Sequence, residues 1–307
     1  MKYYKINSMN QSIRRDAAQF VAQAEHVYSQ QILAVAQQLY ENRSRKPIIL
    51  ISGPSGSGKT TTALRIEQLL DSWSCETHTI SMDNYFLPYD FGPMPLDEQG
   101  HVDLESPKRL DAELLTEHLT RLFNYEPVEV PIFDFTTQTR IGSVPLHRKK
   151  DELIILEGIH ALNPSVTGQT DETATCIYVS VRTRAEHPSG ALLHPSKIRL
   201  ARRLIRNKLF RGRGFDDTLA SFRSVSRGEN LFIMPYKYRA KFDIDTFFPS
   251  ELSVYRPFLL SELEAVGGKT GDLAEIREFL EHVEPVDADL VPKNSLLREF
   301  IGGGTFN

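Results

Sequence analysis

Residues 53–60 read Gly-Pro-Ser-Gly-Ser-Gly-Lys-Thr, which is the spacing G-x-x-x-x-G-K-[ST]. Its chemistry is phosphate binding. Glycines let backbone N–H groups close around phosphate oxygens, a lysine reaches the β- and γ-phosphates, and a hydroxyl can ligate Mg²⁺. Gly53, Ser55, Gly56, Ser57, Gly58, Lys59, Thr60 and Thr61 are therefore the candidate triphosphate-binding residues. The plain alternative is a Gly/Ser-rich surface turn, and the flanks speak against it. Residues 47–51 are an apolar run suited to a buried parallel strand, while 61–71 place Ala63, Leu64, Ile66, Leu69 and Leu70 at helical spacing.

Phosphoryl transfer needs positioning and charge neutralisation more than covalent help, so carboxylates and mobile cations are the next residues of interest. Glu157 ends the apolar run Leu153-Ile-Ile-Leu and precedes Gly158. A carboxylate at the C-terminal end of a buried strand beside the phosphate loop is where a Mg²⁺-linked acid belongs; a capping or surface Glu is the alternative. Asp83, in Ser81-Met-Asp-Asn-Tyr-Phe86, follows another strand pattern and could accept a hydroxyl proton, although Asp at a strand end also forms turns.

Between Lys197 and Arg213 stand Lys197, Arg199, Arg202, Arg203, Arg206, Lys208, Arg211 and Arg213, with no acid among them. Three readings compete: a solvated face, which would repel itself; a nucleic-acid stripe; and a lid whose arginines clamp a transferring phosphoryl group. The phosphate loop and the acidic remainder favour the lid, with Arg211-Gly-Arg-Gly214 as its hinge. The histidines show no metal-ligand spacing.

The elements that would position these residues follow from periodicity. Residues 11–41 form one long amphipathic helix, bound to dock on this core or on another copy of the chain. Strand patterns fall at 76–82, 128–133, 153–156, 175–181 and 242–248, with helical patterns at 107–123, 196–211, 215–227 and 251–265. This alternation predicts a mostly parallel sheet covered on both faces. Residues 88–100 read as a Pro/Gly-rich loop near the ligand, and 267–271 as a linker to a short helix at 273–283 and a C-terminal tail. The predicted organisation is an N-terminal helix and linker (1–46), a catalytic domain (47–266, lid about 196–228) and a C-terminal helix and tail (267–307).

With 307 residues, 40% hydrophobic and 25% charged, the chain has ample material for a core, and a net charge of −4 gives no reason to expect nucleic acid or membrane as partner. No apolar stretch is long enough to span a bilayer and no signal-peptide core opens the chain, so a cytoplasmic protein is expected. Cys75 and Cys176 lie in strand-like runs and read as buried free thiols.

In order along the chain, the loop at 53–61, Ser81–Phe86, Val102-Asp103 with Leu110-Asp111, Pro131–Arg140, Glu157–Asn163 and Arg202–Arg213 resemble the uridine kinase and phosphoribulokinase family. The likeness covers about 47–230. A closer resemblance is to the uridine-kinase-like module of bacterial multidomain nucleoside kinases, which carry an N-terminal TGS domain. It rests on Arg223–Glu229 and Leu297–Gly303, with 11–41 resembling the connector that follows that domain.

The resemblance implies a P-loop NTPase fold, a three-layer α/β sandwich of the nucleoside-kinase type with an Arg-rich helical lid. It implies ATP and Mg²⁺, with Thr60 and Glu157 on the metal and Asp83 as base toward a ribose 5′-hydroxyl. Asp103 would bind the other sugar hydroxyls, and Arg203, Arg206, Arg211 and Arg213 would act as lid cations. Phe133, Gln138 and Arg140 would lie on the acceptor side. The family has Tyr and His where this chain has Phe133 and Gln138, and Asp where it has Asn207, so two polar handles for a pyrimidine are replaced. The expected partner is a small-molecule phosphoacceptor, most simply a nucleoside, with homo-oligomerisation open. A kinase of a non-nucleoside alcohol such as a sugar phosphate is the nearest alternative, and a nucleotide-dependent switch without acceptor is the alternative from another class.

Overall fold

The computed structural model describes residues 2–265 and 271–306. In chain order the elements are β1 (Tyr3–Lys5), α1 (Ile6–Asn42), β2 (Ile48–Ser52), α2 (Lys59–Ser72), β3 (Thr77–Ser81), α3 (Ala112–Phe123), β4 (Val128–Asp134), β5 (Thr139–Leu146), β6 (Leu153–Glu157), α4 (Pro164–Thr167), β7 (Ala174–Ser180), β8 (Arg184–Glu186), α5 (Pro195–Phe210), α6 (Phe215–Gly228), β9 (Phe242–Asp245), α7 (Glu251–Ala265), α8 (Gly271–His282) and α9 (Arg298–Ile301). Residues 266–270, most of the expected linker, lie outside the described residues.

The central sheet is parallel throughout, in the order β3-β6-β2-β7-β9. Every residue of β2, β6 and β7 is buried, which suits continuous β-branched and aliphatic runs sandwiched between two helical layers. Alternate side chains feed the two faces. Ile49, Ile51, Ile155, Ile177 and Val179 meet α1, α2, α5, α7 and α8, whereas Ile48, Leu50, Ile154, Leu156 and Cys176 meet α3 and α4. The three-layer α/β sandwich is thus observed, and Cys75 and Cys176 are buried and free.

Three differences from the expected elements have physical causes. The N-terminal helix starts earlier and is broken at Asp16 (φ −166°, ψ 97°), whose carboxylate caps the second segment by accepting from the Gln19 N–H at 2.9 Å. It docks on its own core through Ile13, Tyr28, Ile32 and Leu39. Residues 128–134 do not join the parallel sheet; they pair antiparallel with residues 139–146 in a separate hairpin. The 107–123 pattern divides into a short turn at Pro107–Arg109 and α3, because Asp111 caps α3 by accepting from the Leu114 N–H at 3.1 Å.

Candidate active site

The phosphate loop joins β2 to α2 at the C-terminal edge of the sheet, and its glycines hold conformations or close approaches that a side chain would strain. Gly56 and Gly58 have φ of +78° and +85°, and a Cβ at Gly53 would lie 1.9 Å from the Val179 carbonyl oxygen. The loop carbonyls are drawn toward the protein: Arg199 Nη1 donates to Ser55 O at 3.1 Å, Arg202 Nη1 to Gly56 O at 3.2 Å and Thr246 Oγ1 to Ser57 O at 2.7 Å. A loop with its carbonyls held outward turns N–H groups inward, toward an anion at the start of α2. Ser57 Oγ, Arg203 Nε and Arg206 Nε around it are buried without a hydrogen-bond partner, a donor set suited to phosphate oxygens.

Lys59 leans over the loop, with Nζ 3.4 Å from Pro54 O. Burial lowers its ammonium, while Glu157, Glu299 and Asp83 hold it up. Glu157, at the end of β6 opposite Ile51 of β2 and Ser81 of β3, accepts from Thr60 Oγ1 at 3.2 Å and Ser81 Oγ at 3.4 Å. Burial raises its carboxyl and Lys59 opposes that rise. Two hydroxyls and a carboxylate converging at the first turn of α2 form an all-oxygen set that fits a hard divalent cation.

Asp83 stands just beyond β3, open to the cleft yet walled by protein. That crowding raises its carboxyl, with Lys59 and Arg211 opposing. Arg203 donates to Ser55 Oγ; burial, helped by Arg206, pushes its guanidinium down to about 10. The loop, Glu157, Asp83, Arg203 and Arg206 therefore share one crevice, with Arg211 and Arg213, both exposed, beside it.

Other expected residues are placed differently. The arginine run is not a solvent-facing lid along its length: Ile198 through Ile205 are buried, and the missing acids arrive from other elements. Arg202 pairs with Glu251, Arg199 with Glu229, Arg206 with Glu299, Lys208 with Glu262 and Lys197 with Asp272. Asn207, too, is buried and donates to Thr218 Oγ1. The Thr61 hydroxyl turns away from the loop to Glu299 Oε2 at 2.8 Å.

Asp103, expected on sugar hydroxyls, is 3% exposed and already accepts from Arg227 Nη1 at 3.0 Å and the Glu105 N–H at 3.2 Å. Arg140 is bound to Asp111 at 3.0 Å, and the Gln138 amide accepts from Arg109 and donates to Phe135 O. Phe133 joins Phe86 and Phe135 in an aromatic group with centroids 5.2–5.8 Å apart. The hairpin reaches the crevice through Asn84, next to Asp83, whose Oδ1 accepts from the Phe133 N–H at 3.3 Å.

Sequence reasoning passed over Glu299, Arg227, Glu105 and His160. Glu105 is raised by burial and lowered chiefly by Arg203 and Lys59, so it too borders the crevice. The His160 ring lies against it, bonded to Glu105 O at 3.0 Å. One histidine lies in a metal-like group after all: Glu76, His78 and Glu152 offer ligand atoms within 4.8 Å of one another, though Lys149, 3.4 Å from Glu152 and 3.9 Å from Glu76, already offsets part of their charge.

A phosphate loop on a parallel sheet, a carboxylate at the neighbouring strand end and inward arginines define a P-loop phosphotransferase fold and site. The chain belongs to the phosphoribulokinase / uridine kinase family, whose model matches residues 48–249. It is 32% identical over 195 residues to the uridine kinase of Anoxybacillus flavithermus (63% of this chain, 83% of that protein) and 33% identical over 202 residues to that of Ligilactobacillus salivarius (64% and 84%). In structure it is similar to a protein assigned as a fructose transport system kinase from Silicibacter sp. TM1040, with TM-score 0.54, 19% identity, and coverage of 69% of this chain and 98% of that one. That likeness concerns the fold. Among the described residues no helix is long and apolar enough to cross a membrane.

Proposed function

We propose that the chain is an ATP- and Mg²⁺-dependent kinase that moves the γ-phosphoryl group to a sugar hydroxyl, with the 5′-hydroxyl of a nucleoside the best-supported acceptor. The observation that carries this reading is the position of Asp83, just past the end of a different strand from Glu157, open to the crevice and within electrostatic reach of Lys59 and Arg211. A site that only bound nucleotide would have no proton to remove, whereas a second carboxylate facing the phosphate lysine can take one from an attacking hydroxyl.

In this reading the loop amides and Lys59 hold the β- and γ-phosphates, and Arg203, Arg206 and Arg211 meet charge that develops on the transferred group. Thr60 and Glu157 would hold Mg²⁺, which when bound neutralises phosphate charge. Asp83, raised by its crowded surroundings, takes the hydroxyl proton as the oxygen attacks. Phe135, exposed beside Phe86 and the buried Phe133, offers a face on which a planar base can stack. The uridine kinases among the relatives support the nucleoside.

A second reading, a non-nucleoside alcohol such as a sugar phosphate, draws on Gln138, whose amide is turned toward Arg109 and Phe135 O, so that only one N–H and one lone pair remain for a base edge. ADP release measured over a panel of nucleosides and phosphorylated sugars separates the two. Turnover with uridine or cytidine favours the first, turnover confined to sugar phosphates favours the second, and no turnover with either rejects the kinase.

A further inference from the structure

We propose that Glu299, in the C-terminal segment beyond the residues matched by the family, is a positioning residue of the phosphate site: it fixes Arg206 in the orientation that meets the transferred group. The inference rests on the kinase reading above.

Glu299 bridges the two walls of the crevice. Its Oε2 accepts from Thr61 Oγ1 in the first turn of α2 at 2.8 Å, and its Oε1 accepts from Arg206 Nη1 of α5 at 3.3 Å. Both partners of the ion pair are largely withdrawn from water, at 15% and 16% side-chain exposure, so the pair is not a screened surface contact. An arginine left to itself samples many rotamers, and holding one N–H of its fork restricts that freedom while leaving other donors for a phosphate oxygen. Arg206 Nε is one such donor, buried and without a partner.

The carboxylate is itself rigidly carried. Leu296, Leu297 and Phe300 are fully buried, and the Phe300 ring lies under Arg202 and Arg206 at 5.1 and 5.8 Å. Ser295 donates to Glu25 of α1, and the backbone at Gly302 abuts Phe210 at the end of α5. The tail is thus tied to α1, α2 and α5 at once. Glu299 also helps hold the proton on Lys59, which places it within electrostatic reach of the loop.

The test is a double-mutant cycle of Glu299→Gln and Arg206→Gln, with Glu299→Asp as the conservative variant. In the wild-type background Glu299→Gln is expected to lower kcat by roughly tenfold or more, with the KM for ATP and the affinity for ADP within about threefold. In the Arg206→Gln background the same change is expected to cost less than about twofold, and Glu299→Asp to restore part of the loss. The proposal is overturned if Glu299→Gln leaves kcat unchanged, or lowers it equally in both backgrounds. Should Glu299→Gln unfold at the assay temperature, Glu299→Asp is carried through the same cycle, and loss of turnover in both backgrounds alike again overturns the idea. If the wild type transfers to no acceptor, the kinase reading fails on its own. The cycle is then read as the affinity for ADP with aluminium fluoride, a mimic of the group in transfer, over ADP alone, which Glu299→Gln must weaken only where Arg206 is present.

Discussion

The α-carbon of Gly58 faces the side chain of Leu296, so closely that a Cβ at residue 58 would lie 2.4 Å from Leu296 Cδ1. Phosphate loop and C-terminal segment are packed as one surface there, and Gly58 also sits at φ +85°. Gly58→Ala should therefore destabilise the fold by about 2–4 kcal/mol, the sum of overpacking and a left-handed backbone. Leu296→Ala carries its own cavity cost, and in that background adding Gly58→Ala should cost only the backbone part. Gly100, at φ +83° with nothing within 4 Å of a built Cβ, provides the comparison; Gly100→Ala should cost only about 1 kcal/mol. Urea denaturation of Gly58→Ala, Leu296→Ala, the double variant and Gly100→Ala measures all of this, and equal losses at 58 and 100 would contradict it.

Asp83→Asn should keep the affinity for ADP within a few-fold and lower kcat by about 10²–10⁴, the range of a lost general base. Because surrounding protein raises the Asp83 carboxyl, and a base works deprotonated, kcat/KM should climb with pH through a limb lying above the ordinary aspartate value. A variant that turns over within a few-fold of wild type removes Asp83 from the role of base.

Arg202 and Glu251 are both fully buried and joined Nε to Oε2 at 2.9 Å. Glu251→Ala leaves the guanidinium without its counter-charge and should cost about 3–5 kcal/mol. Arg202→Met/Glu251→Leu should restore most of that stability. It should not restore phosphate binding, since Arg202 also holds the Gly56 carbonyl. Denaturation midpoints alongside ADP titrations check the split, and full recovery of both would deny Arg202 its hold on the loop.

His160 is depressed by burial to about 4, against roughly 6.5 in an unfolded chain. Between those values the unfolded state binds more protons, so stability rises with pH there. The contribution is complete above the unfolded value and fades as pH falls toward 4. Going from pH 7.5 to 5, wild type should lose about 2 kcal/mol more than His160→Asn. Guanidinium unfolding at the two pH values reads the difference, and parallel losses would argue against a neutral buried imidazole.

The donor half of the site was legible because its geometry is local. Eight consecutive residues, 53–60, dictate the loop, and Glu157 follows directly on a run that can only be a buried strand. What escaped notice depends on partners far along the chain. Thr61 and Glu299 are 238 residues apart, and Arg227 and Asp103 are 124 apart; no spacing announces either pair. The arginine run was read as lacking acids because Glu229, Glu251 and Glu299 come from other elements. The strand at 139–146 is exposed nearly throughout and interrupted by Gly142 and Pro145, so it shows neither alternation nor an apolar run.

The hairpin of β4 and β5 shares no backbone ladder with the parallel sheet and is held to the loop after β3 by bonds to Asn84, Tyr85 and Tyr89. On the reading proposed above its outer residues carry acceptor recognition, while Val128 and Val130 at its base are buried in one core with Ile80, Ile154 and Leu156. The molecule is in this respect a fixed engine with an exchangeable cassette. On that reading, variation confined to the outer positions of residues 135–145 would redirect what is phosphorylated, while the machinery that delivers the phosphoryl group would be inherited unchanged.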